Sequence, residues 1–245
     1  MKKSFIVWTL VLCSLISYSQ IKISFSTGMN VSNLTEDLVT QYGFDTFREA
    51  YIDAGGSATS EVKNSVRIGF YLAALADIPL NESVFIRSGL KYMNTGDSYF
   101  FKTDDVVLQS SSGSETDEKY KFRQRLSYLS IPLNMGKSLS KKIGIYGGVT
   151  PSINVGNIVK INYFEEDGDK VKQKWEKDDN PVDARGVVMF LNGGMNYFFI
   201  GDKVDYFIDF GFNYALSSVY DDPDAESIFK EANAWNIDLG FGIRL

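Results

Sequence analysis

Apolar and polar residues alternate with a period of two along most of the chain. In the last such run, apolar side chains from Trp235 to Leu245 occupy one face of an extended segment, while Asn236, Asp238 and two glycines occupy the other. Because successive side chains of a strand point to opposite faces, this alternation predicts β-strands. Strands are predicted in eight segments: 21–31, 66–78, 84–93, 122–135, 143–155, 186–200, 206–216 and 235–245.

The two faces of these strands differ strongly in polarity. In segment 206–216 one face consists of Tyr, Ile, Phe and Leu side chains, whereas the opposite face carries Asp209, Gly211 and Asn213. A soluble sheet also alternates, but its polar face meets water and has less need of glycines. The pattern instead indicates hydrocarbon on one side and a crowded polar space on the other, which is typical of a membrane-spanning barrel.

The connections between the strands alternate in length. Segments 33–65 and 94–121 are long, 79–83 and 136–142 are short, and the alternation continues to the C-terminus. Outer-membrane barrels have this asymmetry, with long loops outside and short turns in the periplasm. The sequence therefore predicts an all-β fold: an eight-stranded antiparallel up-and-down transmembrane β-barrel with long extracellular loops and short periplasmic turns.

The first residues have the organisation of an export signal. Lys2 and Lys3 precede an apolar run from Phe5 to Ile16, and small residues lead up to Ser19. The apolar run is shorter than the roughly 20 residues that a membrane-spanning helix needs. We expect a cleaved signal peptide at 1–19, an outer-membrane β-barrel domain at 20–245 and a location in the outer membrane.

Composition and charge remove several classes of function. The chain has no histidine, and its one cysteine, Cys13, lies in the expected signal peptide. Histidine-dependent triads, zinc sites that need histidine or thiolate, and internal disulfides are therefore excluded from the mature chain. Loss of the two leader lysines changes the formal net charge from −6 to −8, which makes nucleic acid a poor partner.

Charged residues recur on the predicted inner face of the strands. Such groups can form a proton or ion path or an acid–base pair, and they can equally form an ion-paired plug in which each charge is neutralised. We expect the plug, because an eight-stranded barrel is just wide enough for side chains to fill. The residues of this predicted network are Lys22, Arg67, Asp77, Arg87, Lys91, Asp209, Asp238 and Arg244.

Pro132 lies inside a predicted strand, although it cannot donate a ladder hydrogen bond. The apolar face changes near this point, from Leu126 and Tyr128 to Leu129 and Ile131. One extra residue in a strand reverses its two faces, so the sequence predicts a β-bulge at Pro132.

The long connections contain acidic clusters but no specific metal-binding pattern. Glu165, Glu166 and Asp167 lack the spacing of an EF-hand, and Asp167-Gly168 predicts a hairpin turn between residues 159–161 and 170–172. Residues 45–52 have the apolar spacing of a short helix, and an irregular loop is the alternative for this segment. We predict no catalytic residue, cofactor or metal site, and leave divalent-cation or glycan binding by the loops open.

Two segments resemble those of a known family. The sequence Tyr-Leu-Ser-Ile-Pro-Leu at 128–133 and Gly-Ile-Tyr-Gly-Gly-Val at 144–149, together with the strands and the signal, resemble the PorT-like family of Gram-negative outer-membrane β-barrels. The resemblance covers essentially the whole mature chain. It implies an integral membrane protein surrounded by outer-membrane lipid and lipopolysaccharide, and some members of the family are linked to type IX secretion and gliding.

The C-terminal strand also resembles the signal that barrel-assembly machinery recognises. Asp238, Gly240, Ile243 and Leu245 match its polar, glycine and two apolar positions, with Leu245 standing where an aromatic residue is more usual. This resemblance implies the assembly machinery as a partner during biogenesis.

Three functions follow as alternatives. The first is a non-enzymatic outer-membrane barrel whose loops or wall contact a partner protein, a surface glycan or secretion machinery, including an accessory role in type IX secretion or gliding. The second is a soluble periplasmic barrel that carries an apolar ligand and turns its apolar faces inward. The third is a barrel lipid enzyme, for which the missing histidine removes the usual general base. We expect the first.

Overall fold

The described part of the chain is almost entirely β-structure. The structure, a computed structural model, describes residues 21–35, 48–49, 52–53, 63–103, 118–164, 170–175, 184–201, 204–220 and 232–245. Its strands are β1 (Lys22–Thr35), β2 (Lys63–Pro79), β3 (Val84–Thr95), β4 (Asp97–Thr103), β5 (Glu118–Ser130), β6 (Leu133–Ser138), β7 (Ile143–Phe164), β8 (Lys170–Trp175), β9 (Val187–Phe199), β10 (Asp205–Ala215) and β11 (Asn233–Arg244).

Little helix accompanies these strands. Residues 48–49 and 52–53 are helical, in and beside the segment where the sequence predicts a short helix. Among the described residues, no helix has the length and apolar character needed to cross a membrane. The expected signal peptide at 1–19 and the acidic cluster at 165–167 lie outside the described residues.

The strand pairings close into a ring. β1 pairs with β2 on one side and with β11 on the other. β11 then pairs with β10, β10 with β9, and β9 with β7. β7 pairs with β5 and β6, which pair with β3 and β4, and these return to β2. All of these pairs are antiparallel, so each described strand of the ring satisfies the backbone of its neighbours on both sides.

The number of strands differs from the prediction. The described residues contain eleven strands, whereas the sequence predicts eight. Two of the predicted segments are each divided into two strands: Gly96 separates β3 from β4, and residues 131–132 separate β5 from β6. The third additional strand, β8, pairs with the end of β7, and these two strands lie on either side of the hairpin turn predicted at Asp167-Gly168. The all-β antiparallel class is confirmed, and each predicted segment overlaps a strand of the ring.

The predicted bulge at Pro132 is wrong. Ser130 lies opposite Ser152 and Leu133 lies opposite Val149, so the chain advances by the same number of residues on both strands across the proline. Even-numbered residues stay buried and odd-numbered residues stay exposed from Tyr128 through to Met135. The sequence misleads here because Tyr128 is an apolar side chain on the inner face, next to apolar side chains on the outer one.

The irregularity lies in β7 instead. Ser127 pairs with Gly156 and Tyr128 pairs with Asn154, which leaves Val155 as the extra residue. One extra residue reverses the faces of a strand. The inward residues of β7 are accordingly even-numbered up to Asn154 and odd-numbered afterwards.

The polarity of the ring is inverted relative to a water-soluble protein. On the outer face, Leu239 is 60% exposed and Ile68 is 62% exposed, whereas on the inner face Asn236 is 0% and Asp238 is 1% exposed. An apolar cluster closes the interior towards the end that carries the long connections, with Tyr128 and Phe190 in edge-to-face contact at 5.5 Å between ring centroids. The ring therefore encloses polar side chains along its middle and presents apolar ones to its surroundings.

Candidate functional site

The interior of the ring holds a connected set of buried polar side chains, which we call the inner network. Its five charged members come from four strands, and tyrosine and asparagine side chains connect them. Its members are Tyr71, Asp77, Arg87, Lys91, Tyr146, Asn196, Asp209, Asn213, Asn236 and Asp238.

Arg87 and Asp77 form a two-pronged ion pair. The Nε of Arg87 donates to Oδ1 of Asp77 at 2.7 Å, and its Nη2 donates to Oδ2 at 2.9 Å. The side chains are 4% and 7% exposed, so little water competes for these bonds. The guanidinium also lies 4.7 Å from the centroid of the Tyr146 ring. This combination of planar ion pair and aromatic contact suits arginine and not lysine.

Asp209 receives hydrogen bonds from three other strands. Tyr146 and Asn196 donate to its Oδ1 at 3.0 and 2.6 Å, and Tyr71 donates to its Oδ2 at 3.0 Å. No ion pair within the described residues includes Asp209. Arg87 reaches it through Asn196, whose Oδ1 accepts from Nη1 of Arg87 at 2.6 Å. The carboxylate of Asp209 is therefore stabilised by neutral donors and by the positive charge of Arg87, from which Asn196 separates it.

Lys91 and Asp238 form the second buried pair. The Nζ of Lys91 donates to Oδ2 of Asp238 at 2.5 Å, and Asn213 donates to the same oxygen at 2.8 Å. Lys91 also lies 5.0 Å from the centroid of the Tyr71 ring, which links this pair to the part of the network around Asp209. Two cations thus face three carboxylates inside the ring.

The two network tyrosines lie flat along the wall because glycines leave room for them. Gly28 lies opposite Tyr71 on β1, and Gly240 lies opposite Gly28 on β11. A Cβ atom on Gly240 would overlap the Tyr71 side chain. Asp209 is the next residue in the same cross-strand row, so two consecutive glycines open the path by which Tyr71 reaches it.

Tyr146 repeats this arrangement from the other side. Gly194 lies opposite Tyr146 on β9, and Gly211 lies opposite Gly194 on β10. A Cβ atom on Gly194 would overlap the Tyr146 hydroxyl, and one on Gly211 would lie 3.3 Å from it. The glycines of the inner face therefore form two shallow grooves that each hold one tyrosine.

The structure brings together part of the residue set that the sequence predicts. Asp77 contacts Arg87, Lys91 contacts Asp238, and Asp209 joins them through Asn196. The other three predicted residues lie apart from this network, each in different surroundings: Lys22 is exposed at the start of β1, Arg67 donates to the Thr95 carbonyl at 3.0 Å, and Arg244 pairs with Asp205 at 2.6 Å.

Sequence reasoning missed the neutral members of the network. Tyr71 has the same inward parity on β2 as Asp77, and Tyr146 has the parity of the small inward residues of β7. This parity is the signal in the sequence that places both tyrosines inside the ring. The predicted network consists of charged residues alone, so it includes neither tyrosine. Asp205 stands at the edge of a predicted connection, so no strand pattern marked it.

The four residues of the predicted assembly signal divide between the two faces. Asp238 and Gly240 belong to the inner side, where they pair with Lys91 and make room for Tyr71. Ile243 lies in β11, and Leu245 follows it and is 60% exposed. Their recognition by assembly machinery stays a prediction.

Beside the inner network, the described residues leave little space for a ligand. A cavity of about 20 Å³ lies among the network residues, which is enough for about one water molecule. No cluster of His, Cys, Asp or Glu suited to a metal ion occurs in the part of the chain that the structure describes. The arrangement is a filled polar core, with ion pairs and hydrogen bonds that hold opposite walls together.

A closed antiparallel ring with an apolar outside and a filled polar inside is the pattern of small outer-membrane β-barrels. A family model described as outer membrane protein beta-barrel domain matches residues 17–221. The chain belongs to this family, whose members are outer-membrane proteins. The narrower PorT-like assignment stays a prediction.

Comparison with known proteins adds structures that are similar in outline. No curated protein matches the chain. Among solved structures, Ail of Yersinia pestis in complex with the heparin analogue sucrose octasulfate is 12% identical with a TM-score of 0.41, covering 92% of this chain and 99% of that one. Neisserial surface protein A (12%, TM-score 0.33, 92% and 96%) and OprG from Pseudomonas aeruginosa (12%, 0.34, 93% and 97%) are also similar.

Removing one partner of the Asp77–Arg87 pair leaves the other buried and uncompensated. We expect Arg87→Met or Asp77→Leu alone to lower the free energy of unfolding by about 3–5 kcal/mol, and the double variant to lose less than the two single losses combined. The measurement is urea unfolding of the refolded protein in lipid vesicles, with Lys22→Met, at an exposed site, as the control. Additive losses would show that the two side chains do not act as a pair.

The glycine grooves predict a position-specific cost for a single methyl group. Gly240→Ala places its Cβ against Tyr71 and is expected to lower stability by about 1–3 kcal/mol, as overpacking of a tight site does. Gly144→Ala is the matched control, because its Cβ would lie at an ordinary 3.5 Å from Phe198. Thermal unfolding followed by circular dichroism compares the two. Equal melting temperatures would contradict the proposed role of Gly240.

Proposed function

We propose that this protein is a non-enzymatic, membrane-spanning outer-membrane barrel that acts through its surface. The observation that carries the proposal is the inverted polarity of the ring, whose apolar residues face outward while the inner network holds its carboxylates in ion pairs and hydrogen bonds. An interior already filled by side chains leaves the loops and the outer wall as the parts able to engage a partner.

The dimensions of the ring support a membrane-spanning role. A tilted strand crosses a bilayer in roughly 9 to 11 residues. β2 has 17 residues and β10 has 11, and both alternate apolar outward with mostly small or polar inward, Leu75 and Phe207 being large apolar residues of the inner face. In this proposal the eight predicted segments are the eight crossings of the barrel, β3 with β4 and β5 with β6 each making one.

Orientation follows from the connections. Residues 80–83 and 139–142 make short turns at one end of the ring, and the long connections leave from the opposite end. We assign the short turns to the periplasm and the long connections to the cell surface. The mature chain would begin after a signal peptide at 1–19.

Two alternatives fit the structure less well. A soluble carrier of an apolar ligand needs an apolar interior and a polar exterior, whereas the described residues have the opposite arrangement. A lipid enzyme needs a base at the barrel surface, and the sequence contains no histidine for that role.

The partner class is a protein, glycan or secretion component at the cell surface. An accessory role in type IX secretion or gliding is supported only by the PorT-like resemblance. The surrounding lipid includes lipopolysaccharide, and assembly machinery would act on the chain during biogenesis.

Photo-crosslinking in intact cells tests the surface role. A crosslinking amino acid in place of Lys172, exposed on β8 at the long-connection end, is expected to attach to a surface protein or glycan, which mass spectrometry identifies. The same residue in place of Lys141, exposed in a short turn, is the control and should not capture that partner. Capture of lipid alone at position 172 would contradict an interaction role.

A further inference from the structure

A groove lined by basic side chains lies on the outer wall of the ring. We call it the basic groove, and its volume is about 370 Å³. It crosses β2, β4, β5 and β7, and the inward-facing Gln124 also lines it. Its basic residues are Arg67, Lys121, Arg123, Arg125 and Lys160, and its apolar border consists of Val66, Ile68 and Ile158.

Alternation along β5 shows that the groove lies on the outside. Phe122 and Gln124 are buried on the inner face, while Arg123 between them is exposed, on the same face as the exposed Leu129. Lys160 on β7 is likewise exposed beside the buried Val159. Arg123, Arg125 and Lys160 therefore interrupt the apolar outer wall and do not belong to the inner network, whereas Arg67 has the inward parity of β2.

Positively charged side chains are neighbours in the groove. Arg123 lies directly opposite Lys160 in the β5–β7 ladder. Like charges at directly opposed positions destabilise a sheet. Arg67, Arg123 and Arg125 line the same groove, so their like charges repel one another. This concentration of positive charge has an energetic cost that a bound anion would remove.

Arg123, Arg125 and Lys160 have N–H groups that can donate hydrogen bonds to an anion. Among the described residues, the recorded ion pairs do not include Arg123, Arg125 or Lys160. The Nε of Arg125 is buried and makes no hydrogen bond within the described structure. Guanidinium groups grouped in this way match the oxygen geometry of a phosphate.

The position of the groove indicates which phosphate it would meet. It lies near the start of β5, at the end of the ring opposite the short turns. Leu129, four residues from Arg125, lines an apolar depression of about 520 Å³ on the same wall, together with Leu72, Tyr92 and Phe241. Four strand residues span about 13 Å, so a headgroup in the basic groove could place its acyl chains in this depression.

We infer that the basic groove binds the phosphate of an acylated, phosphorylated glycolipid of the lipid A type in the outer leaflet. The inference rests on the proposed membrane-spanning function and its orientation. Arg123, Arg125 and Lys160 supply the phosphate contacts, and the apolar depression beside Leu129 receives an acyl chain. Bound lipid also cancels the repulsion between Arg123 and Lys160.

The test uses the mature chain in phosphatidylcholine nanodiscs, with bis-phosphorylated or fully dephosphorylated lipid A as the probe and native mass spectrometry to count retained lipid. Wild type should retain at least about tenfold more of the phosphorylated lipid A than of the dephosphorylated form. The variant with Arg123→Gln, Arg125→Gln and Lys160→Gln should lose this preference. The variant with Lys137→Gln, Lys141→Gln and Lys142→Gln removes the same charge from exposed sites near a short turn and should keep it.

Unfolding in lipid vesicles separates binding from a structural role. In pure phosphatidylcholine, Arg123→Gln should unfold at the same or a higher urea concentration than wild type, because it relieves repulsion with Lys160. With phosphorylated lipid A present, the order should reverse. A variant that is less stable than wild type in both lipids would show a structural role for Arg123 and overturn the inference.

The remaining outcomes also decide the question. Equal retention of both lipid A forms, or full retention by the groove variant, would overturn the phosphate site. Competition by an acyl-free phosphorylated disaccharide, or by a sulfated polysaccharide, as effective as lipid A itself would assign the groove to a soluble anion instead. Insertion into nanodiscs without lipid preference refutes only this inference, whereas failure to insert refutes the proposed function as well.

Discussion

The carboxylate of Asp209 accepts hydrogen bonds from side chains on three other strands, and much of the interior is arranged around it. Tyr71 and Tyr146 reach it from opposite directions, and Asn196 connects it to Arg87. A buried carboxylate without such partners would cost several kcal/mol. Because its donors come from separate strands, satisfying Asp209 also fixes how the walls of the ring face one another.

This requirement explains why glycine is common on the inner face. Tyr71 must cross two strands to reach Asp209, and Gly28 and Gly240 are the residues it crosses. Tyr146 lies over Gly194 in the same way. The sequence shows these glycines as part of a crowded polar face, but only the cross-strand register reveals that they line up with the two tyrosines.

The strand class, the inward parity and several charged contacts could be predicted from alternation, because a strand repeats every two residues. Asp77, Arg87, Lys91 and Asp238 were placed on the inner face for that reason, and the structure pairs them. Partner choice depends on register between strands far apart in sequence, which alternation does not encode.

The failures have equally local causes. An apolar residue on the inner face, Tyr128, imitated a change of parity, so the bulge was assigned to Pro132 and not to Val155 on the neighbouring strand. Lys22 has the right parity but lies at a strand end, where exposure makes pairing unnecessary. The basic groove was missed because Arg123 and Lys160 are adjacent only through strand pairing.

The central claim is that the apolar outer wall faces lipid. Leu239 and Leu139 are both exposed leucines, one in the middle of the outer wall on β11 and the other in a short turn. The free energy of unfolding in lipid vesicles should fall by about 2–4 kcal/mol for Leu239→Arg and by about 0–1 kcal/mol for Leu139→Arg. Equal effects of the two substitutions would mean that Leu239 faces water and would contradict the account.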